Sequence, residues 1–176
     1  IVGEFIADFC DKADNDVNIP TAVVREFMQR EQAKLNGILL GRGTEDASAI
    51  KARMQEIMTA KVGIFRRGED LESAVDELQK LLVRSRHIGL RSSAPGANPE
   101  LVTAYRTQMM LKLALSVSYG ALVRTESRGA HFRQDHPRRN DAEWLKRTLA
   151  TWANESDTLP TLNYEALDVR TMELPP

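Results

Sequence analysis

The spacing of apolar residues is the feature that most constrains the fold of this chain. Leu71, Val75, Leu78 and Leu82 are separated by three and four positions, which places them on one face of a helix. Apolar residues follow the same spacing in four other segments, which glycine, proline or polar residues separate from one another. These segments are Val2–Phe9, Pro20–Leu40, Thr44–Met58 and Asn98–Arg124. The pattern predicts a bundle of helices.

Capping residues predict where these helices begin and end. We expect Thr44 to cap the third helix, with acidic residues in its first turn. His87 lies in the last predicted turn of the fourth helix, and Gly89 is placed to end it. Asn98 followed by Pro99 predicts the start of the fifth helix, which we expect to be the central, buried one because apolar residues surround much of it.

The sequence changes in character after Thr125. Residues 127–141 are rich in Arg, His, Gly and Pro and have no clear period, so they predict a loop. Two later runs, Trp144–Trp152 and Thr161–Thr171, contain residues that favour strands and flank a polar turn. The spacing of Leu145, Leu149 and Trp152 would also allow a helix in the first run, but the strand-favouring residues indicate a hairpin. The predicted fold class is therefore mainly α: a bundle of three to five helices with a small C-terminal β-hairpin.

Composition excludes several classes of protein. The 24 Lys and Arg nearly balance the 25 Asp and Glu, which argues against a chain built to bind nucleic acid or an anionic membrane surface. Cys10 is the only cysteine, so an intrachain disulfide and a cysteine metal cluster are excluded. The most apolar stretch, 109–123, is shorter than the roughly 20 residues of a membrane-spanning helix. Gly41-Arg42-Gly43 lacks the third glycine of a dinucleotide fingerprint and is expected to be a helix stop.

The segment from Arg124 to Asp141 is the candidate functional region. It holds two of the three histidines, and five arginines alternate with acidic residues. Three interpretations are open: a solvated charged loop, an RNA or phosphate patch, and an ordered interface held by planar arginine–carboxylate pairs. The acidic residues and the presence of only Phe132 for base stacking weaken the second interpretation. His131 and His136 are weak candidates for metal ligands because no cysteine lies nearby.

Several segments resemble the C-terminal domain of fumarate reductase and succinate dehydrogenase flavoprotein subunits. In chain order they are Ile1-Val2-Gly3-Glu4, Lys61-Val62-Gly63-Ile64-Phe65-Arg66, Glu126-Ser127-Arg128-Gly129-Ala130-His131 with Arg133 and Asp135, Pro137 with Arg139 and Asp141, Trp144-Leu145-Lys146 with Thr148 and Leu149, Leu162 with Tyr164, and Leu174-Pro175-Pro176. The resemblance covers the whole chain, and its Ser-Arg-Gly-Ala-His run is the specific part. Ala130 favours this family over L-aspartate oxidase, which typically has Leu there, whereas Asn140 and Arg147 depart from the usual Asp and His.

This resemblance implies the activity of a longer parent protein. Its flavoprotein subunit would interconvert fumarate and succinate through FAD and exchange electrons with an iron-sulfur subunit. Membrane-anchor subunits would be indirect partners at the cytoplasmic face of the inner membrane, and no nucleic acid would be bound. The family's flavin and catalytic residues lie upstream, so no catalytic, cofactor-binding or metal residue is assigned to this chain. We expect the isolated chain to be soluble, colourless and inactive. The alternatives are an L-aspartate oxidase domain, a stand-alone helical interaction module and, more distantly, an RNA-binding module.

The resemblance also implies a division of the chain into three parts. Residues 1–19 are expected to end the helix that leaves a missing flavin-binding domain, since the chain starts as if in the middle of a helix. Residues 20–125 would form the bundle, and residues 126–176 the Arg/His-rich loop and the tail. Four residues of that loop are predicted to be structural, tying it to the flavin domain or the iron-sulfur subunit. They are Arg128, His131, Arg133 and Asp135.

Overall fold

The computed structural model describes residues 2–12, 19–93 and 96–167. The chain divides into two compact units, Ile1–Asn36 and Gly37–Pro176. The first unit contains helix α1 (Val2–Lys12) and most of helix α2 (Thr21–Leu40), with exposed apolar side chains that include Phe5, Phe9 and Phe27. Residues 13–18, between the first two predicted helices, lie outside the described residues. No helix in the described ranges is long and apolar enough to cross a bilayer.

The second unit contains the end of α2 and all later elements. In chain order these are α3 (Ala47–Lys61), β1 (Phe65–Arg66), α4 (Gly68–Ser85), α5 (Pro99–Val123), β2 (Phe132–Arg133), α6 (Asp141–Trp144), β3 (Lys146–Thr151) and β4 (Thr161–Ala166). Helices α3, α4 and α5 pack against one another in pairs. The predicted class, mainly α with a small hairpin, is confirmed.

The core of the second unit lies between α3, α4 and α5. The predicted stripe of Leu71, Val75, Leu78 and Leu82 is buried, together with Ile38 from the end of α2. Helix α3 contributes Ile50, Met54 and Ile57, and α5 contributes Ala104, Leu111, Ala114, Leu115 and Ala121. The hydrophobic effect on these side chains stabilises the bundle.

Helix α5 is central but is not buried all round. It packs against both α3 and α4 and contacts β3. Its remaining surface exposes Val117 and Leu113, the latter to 66%. Asn98 caps the helix as predicted, since its side-chain oxygen accepts a hydrogen bond from the Leu101 backbone N–H at 3.1 Å.

Two predicted helix ends are wrong, and one backbone contact explains both. The Glu45 N–H donates to the carbonyl of His87, and the Gly89 N–H donates to the carbonyl of Glu45. This extended backbone delays the start of α3, so Asp46 rather than Thr44 caps it, accepting from the Ala49 N–H at 2.8 Å. It also ends α4 at Ser85, so that neither His87 nor Gly89 belongs to its last turn.

The predicted hairpin is confirmed. Strands β3 and β4 pair antiparallel, with Lys146 opposite Ala166 and Thr151 opposite Thr161. Trp144 was expected in the first strand but lies in the short helix α6, because Asn140 caps a turn there by accepting from the Glu143 N–H. The part of the second predicted run beyond residue 167, and the closing Leu-Pro-Pro, lie outside the described residues.

The predicted loop contains one strand of a second, parallel strand pair, whose other strand lies just before α4. Phe65 and Arg66 of β1 align with Phe132 and Arg133 of β2. The Phe132 N–H donates to the carbonyl of Ile64, and the Gln134 N–H donates to the carbonyl of Arg66. This pairing joins the turn before α4 to the Arg/His-rich segment after α5, and it positions the candidate site.

Candidate functional site

Glu126 lies at the centre of the Arg/His-rich segment and has no exposed surface. Its carboxylate accepts hydrogen bonds from Arg124 Nη1 at 2.6 Å and from Arg128 Nε and Nη2 at 2.9 and 3.0 Å. The Asn140 backbone N–H donates a further bond at 2.8 Å. A buried carboxylate is tolerated only where such partners replace water, and here both oxygens have them.

The hydrogen bonds around Glu126 keep its carboxyl group ionised. Burial by itself raises the pKa of this group. The bonds from Arg128, from the Asn140 N–H and from Arg124 together outweigh burial, so that the pKa lies below its ordinary value. The result is a buried anion held between two arginines.

Arg128 and Arg124 extend this cluster to the tail. Arg128 Nη2 also bonds to Asp141, whose other oxygen accepts from Arg139 Nη2 at 2.7 Å. Glu126 and then Asp141 raise the pKa of Arg128. Arg124 donates to the carbonyls of Trp144 and Lys146 at 2.9 and 2.7 Å, and its guanidinium lies 4.9 Å from the centre of the Trp144 ring. The end of α5 is therefore bonded to the start of the hairpin.

Arg133 completes the C-terminal end of α5. Its side chain is 3% exposed, and Nη1 donates to the carbonyls of Ala121 and Leu122 at 2.9 and 2.8 Å. These carbonyls belong to the last turn of the helix, where no intrahelical N–H is available to them. A cation is also favoured at this end because the helix dipole is negative there.

Asp135 completes the N-terminal end of α4. Its carboxylate accepts two hydrogen bonds from Arg133, from Nε at 2.8 Å and from Nη2 at 2.7 Å. One of its oxygens also accepts from the Gly68 N–H at 3.1 Å, in the first turn of α4. The Arg133 guanidinium is the main cause that holds the pKa of Asp135 far below its usual range. The Arg133–Asp135 ion pair therefore stabilises two helix ends of opposite polarity, with Arg133 at the end of α5 and Asp135 at the start of α4.

His131 forms hydrogen bonds with two groups, one of which can only donate and the other only accept. Its Nδ1 lies 2.6 Å from Arg66 Nη1, and its Nε2 lies 3.2 Å from the carbonyl oxygen of Arg124. Because a guanidinium only donates and a carbonyl only accepts, Nδ1 accepts and Nε2 carries the proton. The ring is neutral in this arrangement. Burial first, and then the charges of Arg66, Arg133 and Arg124, lower the pKa of His131, although the Arg124 carbonyl opposes them.

The four predicted site residues thus lie in one connected cluster. Arg128 and Arg133 bond to carboxylates and backbone carbonyls of this chain, and Asp135 pairs with Arg133. Gly129 has a φ of +56° in the turn between Arg128 and His131, a conformation that favours glycine.

Sequence reasoning did not single out Glu126, Arg124 or Arg66. The position of Glu126 between two arginines in the sequence indicates an ion pair. Its complete burial depends on the fold and cannot be predicted from that pattern. Arg66 reaches His131 only through the pairing of β1 with β2. Within the described part of the chain, no three His, Cys, Asp or Glu side chains are grouped so as to hold a metal ion.

Comparison with known proteins identifies the family. Residues 51–176 match the family model described as the C-terminal part of fumarate reductase flavoproteins. This chain belongs to that family. The fumarate reductase flavoprotein subunit of Helicobacter pylori strain J99 is 47% identical over 176 residues, which are 100% of this chain and 24% of that protein.

More distant relatives agree with this family. The succinate dehydrogenase flavoprotein subunit of Bacillus subtilis is 34% identical over 142 residues, covering 81% of this chain and 24% of that protein. A solved structure of an E. coli quinol fumarate reductase variant superposes with a TM-score of 0.80 at 28% identity, covering 99% of this chain and 29% of that one. The chain thus spans about a quarter of its curated relatives. The resemblance inferred from the motifs is confirmed, and L-aspartate oxidase and a stand-alone module are not favoured.

Proposed function

We propose that this chain is the C-terminal helical domain of a flavoprotein subunit that interconverts fumarate and succinate. The observation that carries the proposal is the 47% identity to the Helicobacter pylori fumarate reductase flavoprotein subunit along the whole of this chain. The relative from Bacillus subtilis is a succinate dehydrogenase flavoprotein subunit, so the proposal covers both directions of the reaction.

In this proposal the domain is structural and contributes no catalytic residue. A group that acts on a substrate must be able to reach it. Arg133 is almost completely buried, and its guanidinium bonds to Asp135 and to the end of α5. Glu126 is buried between two arginines. These groups hold helix ends and the hairpin in place, which suits a scaffold better than an active site.

FAD would be bound by the part of the protein outside this chain. A flavin dinucleotide typically places its diphosphate at a helix N-terminus that follows a strand, where backbone N–H groups are free. The arrangement of β1 followed by α4 offers that geometry, but the Asp135 carboxylate already accepts from the Gly68 N–H and would repel a phosphate. The residues at this strand–helix junction do not fit the cofactor.

The remaining partners follow from the same proposal. The flavin-binding part of the polypeptide would contact this domain, with Arg128, His131, Arg133 and Asp135 supporting the contacting surface. An iron-sulfur subunit would exchange electrons with the flavin, and membrane-anchor subunits would hold the complex at the cytoplasmic face of the inner membrane. The likeness to a quinol fumarate reductase supports this assignment.

The test compares the full-length protein with the isolated chain. We expect the full-length protein to show flavin absorbance and to reduce fumarate with a reduced viologen dye, or to oxidise succinate with an artificial acceptor. The isolated chain should show neither. Formation of iminoaspartate from L-aspartate by the full-length protein would instead assign it as an oxidase, and flavin bound to the isolated chain would refute the scaffold role.

A further inference from the structure

The ring of His131 connects two parts of the fold that are distant in sequence. Its Nδ1 atom accepts a hydrogen bond from Arg66 Nη1 at 2.6 Å, which joins the ring to β1. Its Nε2–H group donates to the carbonyl of Arg124 at 3.2 Å, which joins the same ring to the residue that ends α5. The ring accepts in one bond and donates in the other, so a proton added to it affects the two bonds differently.

Protonation of His131 removes only the bond to Arg66. A protonated imidazole donates from both nitrogens, so Nδ1 no longer accepts from a guanidinium, whereas Nε2–H still donates to the Arg124 carbonyl. Two donors and two positive charges would then face each other across the 2.6 Å contact. The ring therefore has one contact that a proton breaks and one contact that a proton leaves intact.

The charged groups that face the ring from the surrounding elements are cations. They are Arg66 on β1, Arg133 on β2 and Arg124 at the end of α5. The carboxylates of the cluster are held by arginines, Glu126 by Arg124 and Arg128 and Asp135 by Arg133. The ring is half-buried, so water screens these charges only in part. A positive charge on His131 is therefore not compensated by any group of the described residues.

Arg66 is the group that repulsion would move. It has no carboxylate partner in the described ranges, and burial and then the charge of Arg133 lower its pKa. Its other side-chain bond runs from Nε to the carbonyl of Gly63 at 2.6 Å, in the turn before α4. His131 is held more firmly, because its backbone N–H and carbonyl both form hydrogen bonds with Arg128. The arginine side chain, and not the histidine, would therefore leave the contact.

Loss of this contact would weaken the pairing of β1 with β2. The two strands contain two residues each. They are joined by backbone bonds from the Phe132 N–H to the Ile64 carbonyl at 3.3 Å and from the Gln134 N–H to the Arg66 carbonyl at 2.8 Å. An isolated pair of strands is marginally stable at best, so side-chain contacts across it determine whether it stays closed. The Arg66–His131 bond is such a contact.

We propose that His131 is a pH-sensitive switch: its neutral ring holds Arg66 and keeps β1 paired with β2, and its protonation releases Arg66 and opens this pair while the end of α5 stays in place. The closed pair requires the neutral ring, so it opens as pH falls below the ordinary pKa of histidine, about 6.5. The switch involves only residues of this chain and does not depend on the proposed function.

Hydrogen exchange of single backbone N–H groups in the full-length protein, measured by mass spectrometry with electron-transfer fragmentation, tests this switch. Between pH 7.5 and 5.0, the protection of the Phe132 and Gln134 N–H groups should fall by about threefold or more, since one titrating group changes an opening equilibrium by up to about tenfold per pH unit. Rates are corrected for intrinsic exchange at each pH. The Arg124 N–H, which donates to the Gly120 carbonyl within the end of α5, should lose less protection.

Low concentrations of urea separate this local opening from global unfolding. Opening of one short strand pair exposes little surface, so urea should leave the exchange of the Gln134 N–H nearly unchanged at pH 5.0. Exchange that occurs through global unfolding would accelerate with urea instead. A urea-dependent exchange of Gln134, or an equal loss of protection at Arg124 and Gln134, would overturn the inference.

Two substitutions identify the titrating group. His131→Gln keeps a donor and an acceptor but does not titrate, so the pH dependence of Gln134 exchange should disappear. His136→Gln is the matched control, because His136 lies in the same segment with its Nε2 atom 3.8 Å from Asp135, and it should retain that dependence. Arg66→Gln removes the charge that a protonated ring would face and should reduce the dependence, which provides a second test if His131→Gln does not fold. Equal pH dependence in the unsubstituted protein and in the folded variants at 131 and 66 would refute the switch.

Discussion

Arg133 and Asp135 bond to each other through two hydrogen bonds, and each also completes the end of a different helix. Arg133 donates to the carbonyls of Ala121 and Leu122 at the end of α5, while Asp135 accepts from the Gly68 N–H at the start of α4. Positive charge thus lies at a negative helix end and negative charge at a positive one. Loss of either residue leaves the other charge without its partner and one helix end incomplete.

Replacing Arg133 with Ala should therefore destabilise the protein strongly. The carbonyls of Ala121 and Leu122 would lose their donor, at about 1–3 kcal/mol for each unsatisfied group, so that the two together account for about 3–5 kcal/mol. We expect a loss of free energy of unfolding in that range, measured by urea denaturation followed by circular dichroism. Arg147→Ala is the control, because Arg147 pairs with Glu165 at 3.6 Å on the hairpin surface and should contribute at most about 1 kcal/mol. Equal effects of the two substitutions would contradict the assignment.

Glu126→Gln should be nearly as damaging although it changes few atoms. The glutamine side chain would leave Arg124 and Arg128 without the negative charge that compensates them. Its NH₂ group would also face N–H donors, with which it forms no hydrogen bond. The expected loss is again about 3–5 kcal/mol. Glu165→Gln, in the exposed pair with Arg147, is the matched control for the loss of a carboxylate. A stability equal to that of this control would show that Glu126 is not held as a buried anion.

Much of the helical fold could be predicted because each helix is indicated by sequence patterns within its own segment. The stripe from Leu71 to Leu82 and the cap at Asn98 involve residues within a few positions of one another, so local patterns determine them. The hairpin was also predictable, since its two strands are close in sequence. The errors at Thr44 and His87 arose where distant backbone segments meet, around Glu45 and Gly89.

The site was less predictable because its contacts are long-range. Strands β1 and β2 contain two residues each, too few for a period, and they align Arg66 with Arg133 across the whole of α4 and α5. The motif marked the segment that contains Glu126, but only the packing of that segment against the end of α5 buries the carboxylate. The docking role of Arg128, His131, Arg133 and Asp135 stays a prediction.

Gly89→Ala should destabilise the contact that ends α4. A methyl group built on Gly89 would overlap the carbonyl oxygen of Gly43. The overlapping atoms of Gly43 belong to the backbone, so they cannot rotate away. We expect a lower melting temperature, measured by differential scanning calorimetry. Gly37→Ala is the matched control, since nothing lies within 4 Å of the added carbon within α2. That substitution should stabilise the protein by about 0.5–1 kcal/mol, because alanine favours a helix interior. A lower melting temperature for Gly37→Ala alone would reverse the prediction.

His131 should make stability depend on pH below neutrality. Its pKa in the folded protein lies below the ordinary value of 6.5, because of burial and of Arg66, Arg133 and Arg124 around the ring. As pH falls below 6.5, the unfolded chain therefore binds the proton more readily than the folded one, and the free energy of unfolding decreases. We expect urea denaturation to show a larger decrease in the free energy of unfolding between pH 7.5 and 5.5 for the unsubstituted protein than for His131→Gln, which keeps a donor and an acceptor but does not titrate.

His87→Gln, which replaces an exposed histidine, is the control and should retain the full decrease. If His131→Gln loses as much stability as the unsubstituted protein over this interval, the neutral ring between Arg66 and the Arg124 carbonyl is not the cause.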